Sequence, residues 1–323
     1  MAESKILVFS DWHGGDNAYG AGPGDRLGWI RSCSGSFARR LTEIIATENA
    51  ETPDITLNLG DTVDAGCSDA NKLSHLTTNF LTVLDAGLAG KILHTLGNHI
   101  YRLTDSVNVS WTGVGDKPAI TDYFDALDAS SSQGARANLF GPDSDAYSYT
   151  YTDANGLLYI CVCCPWGDHF EQDITYDYLD WLNTQLQAAS TAGTPCVIFS
   201  HCPMWQNDNS PYSSSMRISD TSWSSLQTIY DNADTLQLAM GGHSHRAHQY
   251  MLRNGVWFLD FQGSLSMPNS RIETAGSNAY GLVKIKPQEV WTPYGMKARI
   301  EVTGYGYNLS SVKDYDKFII ATA

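Results

Sequence analysis

The chain has 323 residues, with 20 lysines and arginines against 35 aspartates and glutamates, and its formal net charge is −15 at pH 7. This acidic balance counts against binding to long nucleic acids or to anionic lipid, because both need a basic protein face. Hydrophobic residues make up 42% of the chain, which is enough for a sizeable core and argues against a disordered chain.

The sequence carries no signal for a membrane or for secretion. No apolar run reaches the ~20 residues that a membrane helix needs. The start, MAESKILVFSD, lacks a basic region followed by an apolar stretch, so no secretory signal is predicted. The cysteines number seven, an odd count, and are interpreted as reduced thiols. These features predict a cytoplasmic protein without a membrane partner.

Short apolar runs alternate with helical stretches along the chain. The predicted strands are Ile6–Phe9, Ile55–Leu59, Ile92–Leu96, Leu157–Val162, Val197–Phe199, Leu236–Met240, Val256–Phe261, Ala279–Lys286 and Lys297–Thr303. The predicted helices, in which apolar residues recur at helical spacing, are Ser36–Asn49, Leu73–Leu88 and Thr175–Ala189. This alternation predicts an α/β protein with mostly parallel strands covered by helices. Because no linker stands out, we predict one domain over residues 1–323.

Five of the predicted strands lead directly into a short polar motif. The motifs are Asp11-Trp12-His13, Gly60-Asp61-Thr62-Val63-Asp64, Gly97-Asn98-His99, His201 and Gly241-Gly242-His243-Ser244-His245. In an open α/β sheet, ligands bind at the carboxyl ends of the strands. We therefore expect these five motifs to meet at one site, although they are far apart in the sequence.

The residue types in these motifs point to metal binding. Seven of them are candidate metal ligands: Asp11, His13, Asp61, Asn98, His201, His243 and His245. Carboxylate, amide and imidazole donors without cysteine suit a divalent ion such as manganese, iron or zinc. Seven ligands are more than one ion needs and would serve two ions if Asp61 bridges them. Two ions ~3.5–4 Å apart are the usual arrangement for in-line attack on phosphorus.

In order and type, the motifs resemble the signature of the calcineurin-like metallophosphoesterase superfamily, which reads D-x-H, G-D-x-x-D, G-N-H-[D/E], H and G-H-x-H. The resemblance implies a four-layer α/β/β/α sandwich of two mixed sheets flanked by helices. It implies one ion held by Asp11, His13, Asp61 and His245, and a second held by Asp61, Asn98, His201 and His243. It also implies that His99 is a general acid or phosphate contact, which Asp64 orients.

Two positions distinguish this chain within the superfamily. Ile100 stands where the signature has an acid, which removes a secondary anchoring contact of His99 and leaves Asp64 to orient it. Asp64 stands where purple acid phosphatases have a tyrosine that binds iron, so no tyrosinate–iron(III) centre is expected.

A looser similarity adds information about the substrate. From Val197 to Ile285 the chain is similar to the manganese-dependent ADP-ribose/CDP-alcohol diphosphatases, although those enzymes have glutamine in place of His13. The similar segments are VIFSHCPMW, GGHSH, Ile272–Ala275 and Ala279–Gly281. This similarity favours two manganese ions and a phosphodiester or diphosphate substrate.

Together these features predict a dinuclear metal-dependent phosphoesterase that acts by attack of a metal-bridging hydroxide. The predicted partner is a small phosphorylated substrate, with a nucleotide as one candidate. Trp12, Tyr101 and Trp205 flank motif residues and are candidates for stacking on a base, and Arg102 and Arg246 are candidates for contact with a second phosphate. Two alternatives stay open: a phosphomonoesterase or protein phosphatase of the same fold, and a non-catalytic scaffold that binds metal.

Packing is the competing interpretation for several of these side chains. Tryptophan and tyrosine bury well with one polar atom bonded, so Trp12, Tyr101 and Trp205 would also fit a core. His94 lies within a predicted strand and is interpreted as a core or hydrogen-bonded histidine. Cys202 follows His201, but a metal site already accounts for His201, so a nucleophilic cysteine is not favoured.

Overall fold

The computed structural model describes residues 2–12, 41–63, 73–97, 117–141, 148–163, 174, 176–206, 218–243, 249–261, 279–293, 295–306 and 318–320. The strands are β1 Ser4–Phe9, β2 Ile55–Asn58, β3 Ile92–His94, β4 Ala137–Phe140, β5 Ser148–Thr152, β6 Leu158–Cys161, β7 Cys196–Phe199, β8 Leu236–Gly241, β9 Gln249–Arg253, β10 Val256–Asp260, β11 Ala279–Thr292, β12 Gly295–Gly306 and β13 Phe318–Ile320. The helices are α1 (residues 41–51), α2 (residues 73–87), α3 Lys117–Ala129, α4 Tyr176–Ala192 and α5 Asp220–Asp231. None of these helices has the length and apolar character needed to cross a membrane.

The predicted elements are confirmed wherever the structure describes them. Every predicted strand is present, and the described part of every predicted helix is helical except Leu88, where the chain is already extended. Four strands (β4, β5, β9 and β13) and two helices (α3 and α5) were not predicted. Helix α5 is rich in serine, threonine and aspartate, which are poor helix formers. Its N-cap is Ser219, whose side chain accepts a hydrogen bond from the backbone N–H of Ser222. This cap marks the start of the helix, which its composition does not predict.

The strands form two mixed sheets. The six-stranded sheet has the order β13-β12-β11-β1-β2-β3, and the seven-stranded sheet has the order β4-β5-β6-β7-β8-β10-β9. Strands β1, β2 and β3 are parallel, as are β6, β7, β8 and β10. Antiparallel strands flank both parallel groups. The prediction of mostly parallel strands was therefore wrong for the flanks, where short connections reverse the chain between β5 and β6 and between β9 and β10, and β11 runs antiparallel to β1.

The two faces of the seven-stranded sheet pack against different layers. On β7, Val197 and Phe199 belong to the core between the two sheets, whereas Ile198 belongs to the core under α4 and α5. Phe80 of α2 packs on Phe9 of β1, with 6.2 Å between ring centroids, and so covers the six-stranded sheet. The layers are thus helices, sheet, sheet and helices, and the predicted four-layer α/β/β/α sandwich is confirmed.

Asp153 joins the two sheets at the end opposite the carboxyl ends of the parallel strands. Its Oδ2 accepts hydrogen bonds from the hydroxyls of Ser4 on β1 (2.9 Å) and Tyr159 on β6 (3.1 Å). Its Oδ1 accepts from the backbone N–H groups of Asn155 (2.8 Å) and Leu157 (3.0 Å). Because the carboxylate is buried, its loss would leave four donors without this acceptor.

We expect Asp153→Ala to lower the free energy of unfolding by about 2–4 kcal/mol, because buried donors lose a charged acceptor. Urea denaturation followed by circular dichroism measures this change. The control is Asp122→Ala on the exposed side of α3, which we expect to change the free energy by less than about 0.5 kcal/mol. Equal denaturation midpoints for the two variants would show that Asp153 does not join the sheets.

Candidate metal centre

Four of the seven predicted metal ligands lie in the described residues, and the structure brings them together. Asp11 follows β1, Asp61 follows β2, His201 follows β7 and His243 follows β8. Carboxylate oxygens of Asp11 and Asp61 and a ring nitrogen of His201 lie within 4.8 Å of one another. The Nε2 atom of His201 lies 3.2 Å from Oδ2 of Asp61 and 3.2 Å from Nδ1 of His243. The expected meeting of distant motifs is therefore observed for these four side chains.

The other predicted site residues lie outside the described residues. They are the metal ligands His13, Asn98 and His245, the catalytic pair His99 and Asp64, and the substrate contacts Tyr101, Arg102 and Arg246. Ile100 also lies outside.

The turn after β2 supports three of the four side chains through consecutive residues. The carbonyl oxygen of Leu59 accepts a hydrogen bond from Nδ1 of His201 (2.8 Å), and that of Gly60 accepts from the backbone N–H of Asp11 (2.9 Å). Asp61 follows directly. Since Nδ1 donates to a carbonyl, Nε2 is the ring nitrogen of His201 that is left to bind a metal in the neutral form.

Three candidate ligands have an unusual backbone conformation. The φ angles are 54° at Asp11, 49° at Asp61 and 68° at His243, all in the left-handed region. This region costs residues with a Cβ roughly 1–2 kcal/mol each. Contacts between the motifs hold the conformation, since Oδ2 of Asp11 accepts hydrogen bonds from the Ser10 hydroxyl and from the backbone N–H of His243 (3.0 Å). Such strain is typical of functional sites.

The glycines of the motifs allow the backbone to lie against these carboxylates. A Cβ atom on Gly97 would lie 1.8 Å from Oδ1 of Asp61. A Cβ atom on Gly242 would lie 1.9 Å from the Ser10 hydroxyl oxygen and 2.9 Å from Oδ2 of Asp11. Any larger residue at either position would displace the carboxylate, so these glycines are required by close contact.

The site has a strong negative potential around His201. Burial alone would lower the pKa of this imidazole, because it disfavours the charged form. The Asp61 carboxylate, through its charge and its hydrogen bond, and then the charge of Asp11 outweigh burial and raise the pKa to about 9. Two buried carboxylates beside two imidazoles form a donor set that suits a divalent transition-metal ion.

Three further residues near the motifs are buried. Trp12 packs on Phe80, with 5.1 Å between ring centroids, and Trp205 packs near Phe258 at 6.2 Å. These are core contacts, and substrate stacking by either tryptophan stays a prediction. Cys202 is also buried, and its sulfur lies within 4.8 Å of ring nitrogens of His201 and of His243. Its place directly after His201 was the one sequence signal for this proximity.

Comparison with known families agrees with this geometry. Residues 4–247 match the family model described as calcineurin-like phosphoesterase. The chain belongs to this family. Its members are metal-dependent phosphoester hydrolases that use two metal ions. Comparison with curated protein sequences finds no match.

Several solved structures share the fold. A dimetal phosphatase from Danio rerio has a TM-score of 0.66 at 14% identity, with 99% of each chain covered. PhoD has a TM-score of 0.53 at 9% identity, with 100% of this chain and 72% of that chain covered. A putative 5'-nucleotidase from Staphylococcus aureus, in complex with alpha-ketoglutarate, has a TM-score of 0.50 at 13% identity, with 89% and 52% covered. At these identities the likeness shows the fold alone.

We expect His201 to titrate with a pKa near 9 in protein freed of metal by chelation, because Asp61 and Asp11 stabilise the imidazolium. Nuclear magnetic resonance of the imidazole protons measures this value. The pKa is raised on folding, so the stabilisation is complete below the ordinary value of 6.5 and is lost as the pH rises towards 9. The variant Asp61→Asn should lower the pKa of His201, and an unchanged value would contradict this electrostatic account.

We expect Gly97→Ala to displace the Asp61 carboxylate and to destabilise the protein by about 1–3 kcal/mol, because the new methyl group overlaps Oδ1. Thermal denaturation and the pKa of His201 measure the two effects. The control, Gly193→Ala, has a φ of 66° and open space around its Cβ, so it adds backbone strain without touching the site. A His201 pKa that stays at the wild-type value in Gly97→Ala would argue against the contact.

Proposed function

We propose that this chain hydrolyses phosphodiester or diphosphate bonds and uses two divalent metal ions to do so. Manganese is the preferred metal. The observation that carries the proposal is the meeting of two buried carboxylates and two imidazoles from four strand ends, with His201 Nε2 at 3.2 Å from both Asp61 and His243. All seven ligands are present in the sequence, and the strained backbone at Asp11, Asp61 and His243 argues against a scaffold that has lost its metal.

The ligand assignment follows the family signature. One ion would be held by Asp11, His13, Asp61 and His245, and the other by Asp61, Asn98, His201 and His243. The orientation of Asp61 supports its assignment to both ions. Its Oδ2 faces Nε2 of His201 at 3.2 Å, while its Oδ1 faces Gly97, which directly precedes Asn98. When bound, the two ions acidify water and offset negative charge on the phosphoryl group.

The protein contributes orientation and the exclusion of bulk water. The hydrogen bond from His201 Nδ1 to Leu59 fixes the ring, so Nε2 is directed towards Asp61. Asp11, Asp61 and His201 are all nearly inaccessible to solvent. In such a site fixed charges interact more strongly with a substrate than they do in water.

We assign proton transfer to His99, with Asp64 as the group that orients it. The support is positional: His99 follows Gly97 by two residues, and Gly97 contacts Asp61, while Asp64 follows Asp61 by three residues. A general acid is worth ~10²–10⁴-fold, and it matters most when the leaving group is an alkoxide.

The proposed substrate is a small phosphorylated molecule that this single-domain protein meets in the cytoplasm. The preference for diesters, diphosphates and manganese rests on the segment from Val197 to Ile285, which is similar in sequence to the manganese-dependent ADP-ribose/CDP-alcohol diphosphatases. A nucleotide is the favoured class, because a putative 5'-nucleotidase has the same fold. The net charge of −15 argues against a long nucleic acid. A phosphomonoester is the second candidate, because the dimetal phosphatase from Danio rerio matches over 99% of both chains.

The test compares hydrolysis of bis-p-nitrophenyl phosphate and p-nitrophenyl phosphate by the manganese-loaded protein. We expect faster hydrolysis of the diester. Asp61→Ala and His201→Ala should each lower kcat/KM by more than about 100-fold, since direct ligands matter more than the groups around them. The controls, Asp122→Ala on α3 and His75→Ala on α2, lie outside the five motifs and should retain full activity.

Each other result has a definite meaning. Wild-type rates in Asp61→Ala or His201→Ala would refute the proposed site. Faster hydrolysis of the monoester would favour the second candidate. Manganese binding without hydrolysis of either ester or of a panel of nucleotide diphosphates would favour the scaffold.

A further inference from the structure

A buried side chain outside the metal motifs contacts both sides of Asp61. Asn58, the last residue of β2, is fully buried. Its Oδ1 accepts a hydrogen bond from the backbone N–H of Gly60 (3.2 Å), directly before Asp61. Its Nδ2 donates to the hydroxyl oxygen of Thr62 (2.7 Å), directly after Asp61. One amide group thus bonds to both neighbours of the central carboxylate.

His94 fixes the orientation of this amide. Nδ2 of Asn58 also donates to Nδ1 of His94 on β3, at 3.0 Å. Burial lowers the pKa of His94 to about 3, so the imidazole is neutral at physiological pH and Nδ1 can accept. An asparagine with its oxygen and nitrogen exchanged would lose the donor to His94, the donor to Thr62 and the acceptor for Gly60. His94 is thus both buried and hydrogen-bonded, which confirms its interpretation from the sequence.

The same network reaches the second sheet. The backbone carbonyl of His94 accepts a hydrogen bond from the hydroxyl of Tyr149 on β5 (2.7 Å). Tyr149 is itself held by packing, because its ring is buried in the core between the sheets and contacts the ring of Phe199 edge-on. Asn58 is therefore anchored to structure on both sides of the sandwich.

The turn that Asn58 bonds is the one on which the other ligands depend. Leu59 holds the ring of His201, and Gly60 holds the backbone of Asp11. A shift of this turn would move Asp61 directly, and it would move Asp11 and His201 through these two carbonyl groups. The bond from Gly60 alone is an ordinary Asx turn, whereas the added bonds to Thr62 and His94 fix the amide across the whole turn.

We propose that Asn58, oriented by His94, is a positioning residue that holds residues 59–62 in the conformation in which Asp61, Asp11 and His201 bind metal. The role in metal binding rests on the proposed function, whereas the control of turn conformation does not. Residues that orient metal ligands typically change metal affinity or activity by 10–100-fold when they are replaced.

The experiment uses four variants of the full chain. Asn58→Ala removes all three hydrogen bonds, and Thr62→Val removes one acceptor while keeping the side-chain shape. Thr62→Ser keeps the hydroxyl and should rescue the loss. Thr56→Val is the matched control, because Thr56 is buried on the same strand and its hydroxyl oxygen has no hydrogen-bond partner in the described part of the chain.

The first readout is the dissociation constant for manganese, measured by isothermal titration calorimetry. We expect Asn58→Ala and Thr62→Val to weaken the tighter site by about 10–100-fold. Thr62→Ser and Thr56→Val should stay within about threefold of the wild type, which is less than 1 kcal/mol. At saturating manganese, kcat should fall in Asn58→Ala while KM for the diester stays unchanged.

The second readout needs no metal. Hydrogen exchange of the Asp11 amide, which bonds to Gly60, should become faster in metal-free Asn58→Ala and Thr62→Val. The reference is the Leu158 amide, which bonds to Pro195 at the far end of β6 and reports any global loss of stability. Only the Asp11 amide should respond to a local change in the turn.

The outcomes separate the inference from the proposed function. Unchanged manganese affinity in both Asn58→Ala and Thr62→Val would overturn the inference and leave the proposed function intact, as would an equal loss in Thr56→Val. A wild-type protein that binds no manganese would overturn the proposed function, and Asp11 exchange would still decide the control of the turn. If Asn58→Ala does not fold, Thr62→Val and Thr62→Ser provide the same comparison.

Discussion

The structure depends on holding two buried carboxylates, Asp11 and Asp61, next to the imidazole of His201. Two like charges removed from water repel each other and lose their hydration, so the arrangement needs a compensating positive charge. In the protein alone that charge is the proton of His201, which explains its raised pKa. A divalent cation satisfies the same requirement with two charges, and so the feature that strains the apoprotein favours metal binding.

The fold supplies the stability that this arrangement costs. Left-handed backbone at Asp11, Asp61 and His243 is unfavourable, and the glycines beside them contribute no side chain to the core. The unfavourable free energy of these conformations is offset by the burial of two apolar cores, one between the sheets and one under helices α4 and α5. The three strained ligands lie just beyond the strand ends, where backbone bonds such as that from Asp11 to Gly60 still hold the chain.

The solved structures that share this fold retain the sandwich at identities of 14% or less. Many different apolar sequences can fill the same core. Such distant proteins can therefore share the geometry of parallel strand ends at low sequence identity. The choice of substrate depends on residues around the metal centre, and it can vary without disturbing the sheets.

The sequence by itself determined the local features of this protein. Alternating apolar runs predicted the central strands, and the polar motifs after them predicted that Asp11, Asp61, His201 and His243 would meet. Both are readable because the strand period and the strand-end position are properties of a short segment. The burial of His94 could be inferred for the same reason, from its place inside an apolar run.

The tertiary structure alone decided which distant atoms touch. The bond from Asn58 to His94 joins residues 36 apart, and those from His201 to Leu59 and from His243 to Asp11 join residues 142 and 232 apart. Such contacts depend on strand order and register, which a segment does not encode locally. The antiparallel flanks and the bond from Asn58 to His94 were hidden for that reason.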